Sequence, residues 1–160
     1  MERTIIYCGA EAREQWPGLA EPWRLLYPQL FDEDDARLAR SQKRNHFAEW
    51  FAAIHLFHRD GVFYLIEKYH CSSHQVKAER VNQLGAEVPR VLRAIRRELH
   101  VQPPDLLLYT QAGLTGFAEV KGPGDRREPS ERQLRSYDEI ERCLGVRTEL
   151  VEVRLASGAG

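Results

Sequence analysis

The sequence predicts an α/β fold in which helices pack on a small mixed sheet. Three observations carry that expectation. Two short apolar segments, 105–110 and 115–121, flank the turn Gln111-Ala112-Gly113, as in an antiparallel hairpin or meander. The segment RTELVEVRL at 147–155 alternates apolar and polar residues, the period of a strand with one buried face. Helical patterns precede and separate these strands, and such an order packs helices against a sheet around a shared core.

The elements follow in chain order. Residues 1–30 are punctuated by Pro17, Pro22 and Pro28 and carry Trp16, Trp23 and Tyr27. This predicts an extended or short-helical arm packed on the body, with the arm placed at residues 1–40 and the domain proper at 41–155. From Asp32 to about Arg59 the pattern is helical. Asp32 or Asp34 can cap its start, and the acids of its first turn suit the helix dipole. Gly61 can end it. Residues 62–69, VFYLIEKY, fit either a strand or a buried helix. Residues 74–84 and 87–100 predict two helices, the second with Val88, Val91, Leu92, Ile95 and Leu99 on one side. Pro103-Pro104 ends that run and sets an extended entry to the strand that Asp105 opens. After the loop Gly122-Pro123-Gly124-Asp125, a helix is expected from about Ser130 to Leu144, stopped by Gly145. Residues 156–160 are expected to be a disordered tail.

Composition sets limits on function. At 160 residues, 42% of them hydrophobic, the chain suits one globular domain and not a disordered segment. No apolar run approaches the ~20 residues needed to span a bilayer. The first residues lack the apolar core of a secretory signal, so a cytoplasmic protein without a membrane partner is the expectation. Cys8, Cys71 and Cys143 form no CxxC pair, which argues against a disulfide framework or a zinc knot. The six histidines show no HExxH arrangement and are expected to be ordinary surface or edge residues. Net charge is −1, from 23 Lys and Arg against 24 Asp and Glu. That balance does not favour a nucleic-acid binder by itself, but bases cluster at 37–44, 90–97 and 126–127.

The chemistry concentrates in the hairpin. Glu119 and Lys121 stand two apart on one strand and so share a face. Strand–turn–strand pairing can bring Asp105 beside Glu119. Two carboxylates at one spot repel each other unless a cation neutralises them. Oxygen donors without paired Cys or His favour a hard ion, Mg²⁺ or Mn²⁺. A lysine there can orient a water or offset charge building on a phosphate. An isolated ExK occurs on many surface strands. Here GFAEVKGP embeds it among apolar neighbours, and PD opens the preceding strand at matching spacing.

PPDLLLY, GFAEVKGPGDR and SERQLRSYDEIERCLGV together resemble the VRR-NUC family, a branch of the PD-(D/E)xK nuclease superfamily. The likeness spans about residues 46–155 and is closest from Pro103 onward. It implies a restriction-endonuclease-like core and a metal-dependent DNA endonuclease selective for branched, flapped or junction DNA. Asp105, Glu119 and the Val120 backbone carbonyl would bind the metal, with Lys121 as the catalytic lysine. It further implies a glutamate on a helix upstream and a glutamine on the helix downstream. Glu49 in HFAEWFAAIHL suits the first role, with Glu67 as the rival. Gln133 suits the second, although Ser130-x-x-Gln133 is also a capping box. Arg126 and Arg127, with Lys77, Arg93 and Arg97, are the expected DNA contacts. A homodimer would lengthen the footprint of so small a domain. A toxin-type secreted effector nuclease, or a non-catalytic DNA-binding module of the same fold, are the alternatives.

Overall fold

The hairpin lies inside the sheet. β3 (Leu106–Thr110) runs antiparallel to β4 (Gly113–Lys121), with Leu106 opposite Ala118 and Leu107 opposite Phe117. The computed structural model describes residues 1–66, 69–71, 73–126 and 128–158. These form a five-stranded mixed sheet in the order β1-β5-β4-β3-β2. β2 (Phe63–Ile66) borders β3 antiparallel, so the ambiguous segment after Gly61 is a strand over 63–66, and residues 67 and 68 lie outside the described residues. β5 (Thr148–Leu155) lies parallel to β4. A parallel pair needs a crossover, and α7 (Glu131–Leu144) supplies it, closed by Gly145 at φ 68°.

β1 (Arg3–Cys8) is the edge strand, parallel to β5. The sequence led us to expect only an arm over this stretch. RTIIYC is six residues long and pairs with a partner some 147 positions away (Arg3 with Leu150), so nothing local marks it. Just past β5, the Ala156 N–H donates to the Cys8 carbonyl at 2.9 Å. Residues 159 and 160 lie outside the described residues.

Helices cover both faces. On one lie α1 (Ala10–Gln15), α2 (Ala20–Leu26), α3 (Glu33–Ser41) and α4 (Phe47–Asp60). Trp50, Ala53 and Leu56 of α4 pack in one core with Ile6, Leu106, Leu108, Ala118, Val120 and Val151. Phe31 stacks on Trp50 at 3.8 Å between ring centres, and the Trp16 indole N–H donates to the Asn45 carbonyl at 2.8 Å. These contacts hold the N-terminal helices to the sheet. Truncating a buried aromatic such as Trp50 costs about 3–5 kcal/mol. The single helix expected from 32 to 59 is two helices, broken at His46 with φ 73°. Asp32 and Asp35 cap the first reciprocally, each carboxylate accepting the other's N–H, at 2.8 and 2.9 Å.

The opposite face carries α5 (Gln75–Gln83), α6 (Glu87–Leu99) and α7. Val81, Val91, Leu92, Ile95 and Ile140 pack there on Leu107, Tyr109 and Phe117. Side chains alternate along a strand, so Asp105, Glu119 and Lys121 belong to this second face, the side of α7.

One expected DNA contact is overturned. Lys77 is buried, at 4% exposure, against Asp35 at 3%. Its Nζ donates to the Asp35 carboxylate and to the Ile66 carbonyl. Lys77 thus joins α5 to α3 and β2 from inside the core, turned away from the solvent through which a phosphate would approach.

Candidate functional site

The β3–β4 register extends by one pair to set Asp105 across from Glu119. Asp105 is anchored there, because its Oδ2 accepts the Val120 N–H at 2.8 Å. The preceding Pro104 is buried, and its carbonyl accepts from the Tyr69 hydroxyl at 2.5 Å. The entry to β3 is thus fixed from both sides.

Glu119 is 6% exposed. Its Oε1 accepts two charge-bearing or polar donors, Lys121 Nζ at 2.7 Å and Gln133 Nε2 at 2.7 Å. Gln133 performs both jobs that the sequence left open. Its Oε1 accepts the Ser130 N–H at 2.9 Å and its own N–H donates to Ser130 Oγ at 3.2 Å, completing the capping box. Its amide nitrogen then reaches Glu119. The cap fixes the side chain's direction, so the start of α7 is docked against β4 by one residue.

The electrostatics of the site are those of crowded carboxylates. Burial pushes the Asp105 carboxyl well above the usual carboxylate range. Glu119 and Glu49 push it further, against the Val120 N–H and Lys121, which favour the anion. Glu49 is half-buried in the first turn of α4 and lies within electrostatic reach of Asp105. The approach of α4 is visible at Gly122, where an added Cβ would come within 3.1 Å of the Ala48 Cβ. The Gly122 N–H donates to the Asp125 carboxylate at 2.7 Å. The loop after Lys121 therefore turns where α4 leaves no room for a side chain.

Two residues not assigned from sequence adjoin the cluster. The Tyr137 hydroxyl is buried beside Glu119 yet outside hydrogen-bonding geometry. Burial first, then Glu119 and Asp105, push it above the ordinary phenol range. Its position one turn after Gln133 was the available signal. Glu152 is 2% exposed and stands opposite Lys121 in the β4–β5 ladder. Nothing in the local sequence RTELVEVRL distinguishes it from a surface glutamate.

The remaining expected residues are spread more widely. Arg126 is exposed on the loop after Lys121. Arg93 and Arg97 are exposed on α6 and line a shallow groove with Arg96 and His100, and Arg97 pairs with Glu98 at 2.9 Å. Arg127 and Glu67 lie outside the described residues. A cavity of about 520 Å³ bordered by Asp35, Lys77 and Tyr109 opens near Thr110, at the other end of β3 from Asp105.

The donor set can be tested for a hard cation. Among the described residues, no three His, Cys, Asp or Glu side chains meet at the spacing of a closed metal centre. Mg²⁺ does not require one, since it keeps several waters and takes one or two carboxylates. The raised proton affinity of Asp105 comes first from desolvation and then from Glu119 and Glu49, only partly offset by Lys121. A divalent ion on Asp105 and Glu119 would relieve it, so the residues fit such an ion in charge and in donor type.

Among the described residues, no helix is long and apolar enough to cross a membrane. Comparisons of the chain with family models, with curated proteins and with solved structures gave no match.

Proposed function

We propose that the protein is a divalent-metal-dependent nuclease that hydrolyses phosphodiester bonds in DNA. The observation that carries this reading is the convergence on Glu119. A buried carboxylate receives both a lysine and a docked glutamine, beside a half-buried carboxylate whose proton affinity is raised first by desolvation and then by its acidic neighbours. A purely structural site gains nothing from placing acids where they destabilise one another. The restriction-endonuclease-like core belongs to this proposal, and the five-stranded mixed sheet with helices on both faces is compatible with it.

In this reading Asp105 and Glu119 would hold Mg²⁺ or Mn²⁺, with the Val120 carbonyl as a further donor and Glu49 as a nearby second carboxylate. Such an ion lowers the pKa of a water and offsets charge on the phosphoryl oxygens. Lys121, whose ammonium sits on Glu119 Oε1, would offset the charge that grows as a water oxygen bonds to phosphorus and the bond to the leaving oxygen breaks. Gln133 fixes the Glu119 rotamer, so that Oε1 is not free to turn away from Lys121. Tyr137 and the buried prolines exclude water from the back of the site. Selectivity for branched, flapped or junction DNA is part of the proposal and rests on the family resemblance.

The test is cleavage of duplex, single-stranded, flap and four-way-junction DNA with Mg²⁺ or Mn²⁺, for wild type and Glu119→Gln. Cleavage that needs the ion, falls in Glu119→Gln and partly recovers at higher Mn²⁺ supports the reading. Full activity in excess chelator overturns it.

A further inference from the structure

β1 adds a charged feature to the face that carries Glu119 and Lys121. Partners in a ladder point to the same side of a sheet. Glu119 stands opposite Leu150, which stands opposite Arg3, while Lys121 stands opposite Glu152, which stands opposite Ile5. Arg154 lies two residues beyond Glu152, on the same side. Glu119, Lys121, Glu152, Arg154 and Arg3 therefore share one face. At about 4.8 Å per strand, the Arg3 backbone is about 10 Å from that of Glu119.

Buried Glu152 holds the two arginines together. Arg3 Nη1 donates to Oε1, while Arg154 donates to Oε2 through Nε, at 3.0 Å, and through Nη2. The two side chains are about one-third exposed, 37% for Arg3 and 33% for Arg154. Each guanidinium carries five N–H donors, more than Glu152 occupies, and Tyr7 also meets Arg154. A cavity of about 280 Å³ lined by Lys121, Gly122, Asp125, Glu152 and Arg154 lies beside Arg154. Beyond the arginines this face is open, with Ile5 and Tyr7 exposed.

The second Arg3 nitrogen, Nη2, donates to Glu128 at 2.7 Å. Glu128 is 66% exposed and sits on the loop between Lys121 and α7. An exposed carboxylate thus occupies a second donor of Arg3, the kind of position a phosphate oxygen would take.

We propose that Arg3 and Arg154, locked by Glu152, form a phosphate-binding fork that seats the DNA backbone beside the Glu119–Lys121 centre, with Glu128 as a carboxylate that the phosphate displaces. This rests on the nuclease reading and deepens it. It makes β1 part of the substrate site. A separation of about 10 Å is more than one axial nucleotide step of 3.4 Å, so the fork holds a phosphate near the scissile one and not the scissile phosphate itself.

The alternative is a triad that merely fastens the edge strand, and a double-mutant cycle separates the two. Binding of a short fluorescent DNA duplex is measured in Ca²⁺ against salt, for the full chain, Arg3→Gln, Glu128→Gln and the double variant. Thermal melts confirm that each is folded, and Arg3→Lys provides a second probe that keeps the charge. Glu131→Gln, an exposed acid in the first turn of α7, is the control for a general charge effect. The fork predicts that Arg3→Gln lowers the salt slope by about 0.9. It predicts that Glu128→Gln tightens binding about two- to fivefold, that this gain disappears in the Arg3→Gln background, and that Glu131→Gln shows no such coupling to Arg3. Arg3→Lys weakens binding because an ammonium lacks the planar fork. Unchanged slope and affinity in folded Arg3→Gln, or a Glu128→Gln gain that persists without Arg3, overturns the fork. Metal-dependent cleavage of the same duplex by the same proteins is scored separately. Cleavage without the coupling sinks the fork alone, and coupling without cleavage sinks the nuclease reading alone. A wild-type chain that binds no DNA overturns both.

Discussion

Gln133 makes two separable contributions, and substitution should separate them. Ser130→Ala removes the hydroxyl that accepts the Gln133 N–H but leaves the Gln133 amide on Glu119. Loss of a cap costs about 1 kcal/mol, and 1 kcal/mol lowers Tm by about 2–4 °C in a domain of this size. Gln133→Ala removes the reciprocal half of the cap and also one of the two donors to Glu119 Oε1. Bonds to a charged group are worth about 1.5–3 kcal/mol, so the melt should fall further. Loss of a residue that orients a ligand typically costs about 10- to 100-fold in activity or metal affinity. The assay is a thermal melt beside single-turnover DNA cleavage for both variants. Ser130→Ala should lose stability and keep its rate within about twofold, while Gln133→Ala should lose about 10- to 100-fold in rate. If both variants lose rate in proportion to Tm, Gln133 is a helix cap and nothing more.

Further expectations concern charge. Asp105 has a folded-state pKa raised by burial, Glu119 and Glu49. Its metal-free contribution to stability is therefore fullest below the ordinary carboxylate value of about 3.9 and is lost as pH rises above it. Asp105→Asn should melt higher than wild type at neutral pH without metal, and wild type alone should gain stability from Mn²⁺, about 2.7 kcal/mol at 100 times Kd. Equal metal-induced shifts in the two proteins would remove Asp105 from the ligand set. Lys77→Met breaks a buried ion pair and should cost about 3–5 kcal/mol while leaving the salt slope of DNA binding unchanged; a reduced slope in a folded variant would put Lys77 on the DNA after all. The same pair sets a pH dependence. Burial, opposed by Lys77, pushes the Asp35 carboxyl up to about 7, so urea midpoints should fall between pH 4 and 7 and this fall should be absent in an Asp35→Asn, Lys77→Met double variant. Arg126→Ala should lower the salt slope by about 0.9 if it holds one phosphate, and an unchanged slope would turn it away from the substrate.

Local chemistry accounts for what the sequence disclosed and what it concealed. The hairpin was legible because Pro103-Pro104, Gln111-Ala112-Gly113 and the apolar runs between them mark both strands and their turn. The capping box of α7 and the glycine that stops it are equally local signals. From these alone Asp105, Glu119 and Lys121 fall on one face. The break at His46 was not legible, because it answers the packing of Phe31, Trp16 and Phe47 around Trp50, contacts that join residues far apart in the chain. Lys77 was misassigned for a related reason. On a polar-faced helix a lysine is ordinarily solvated, and only its tertiary partner Asp35 draws it inside. β1 and Glu152 were hidden by the same non-locality, since the edge strand finds its place through a partner at the far end of the chain.

The central claim is that Lys121 acts in chemistry and the carboxylates act in holding the ion. Metal titration by calorimetry, set beside single-turnover cleavage for wild type and Lys121→Ala, tests it most directly. Lys121→Ala leaves Asp105 and Glu119 in place and removes a neighbouring positive charge, so Mn²⁺ should bind at least as tightly as in wild type. The cleavage step should nevertheless slow by on the order of 100-fold or more, and added Mn²⁺ should not restore it. A Lys121→Ala protein that cuts DNA at the wild-type rate, or one whose lost rate returns with added metal, would contradict the account.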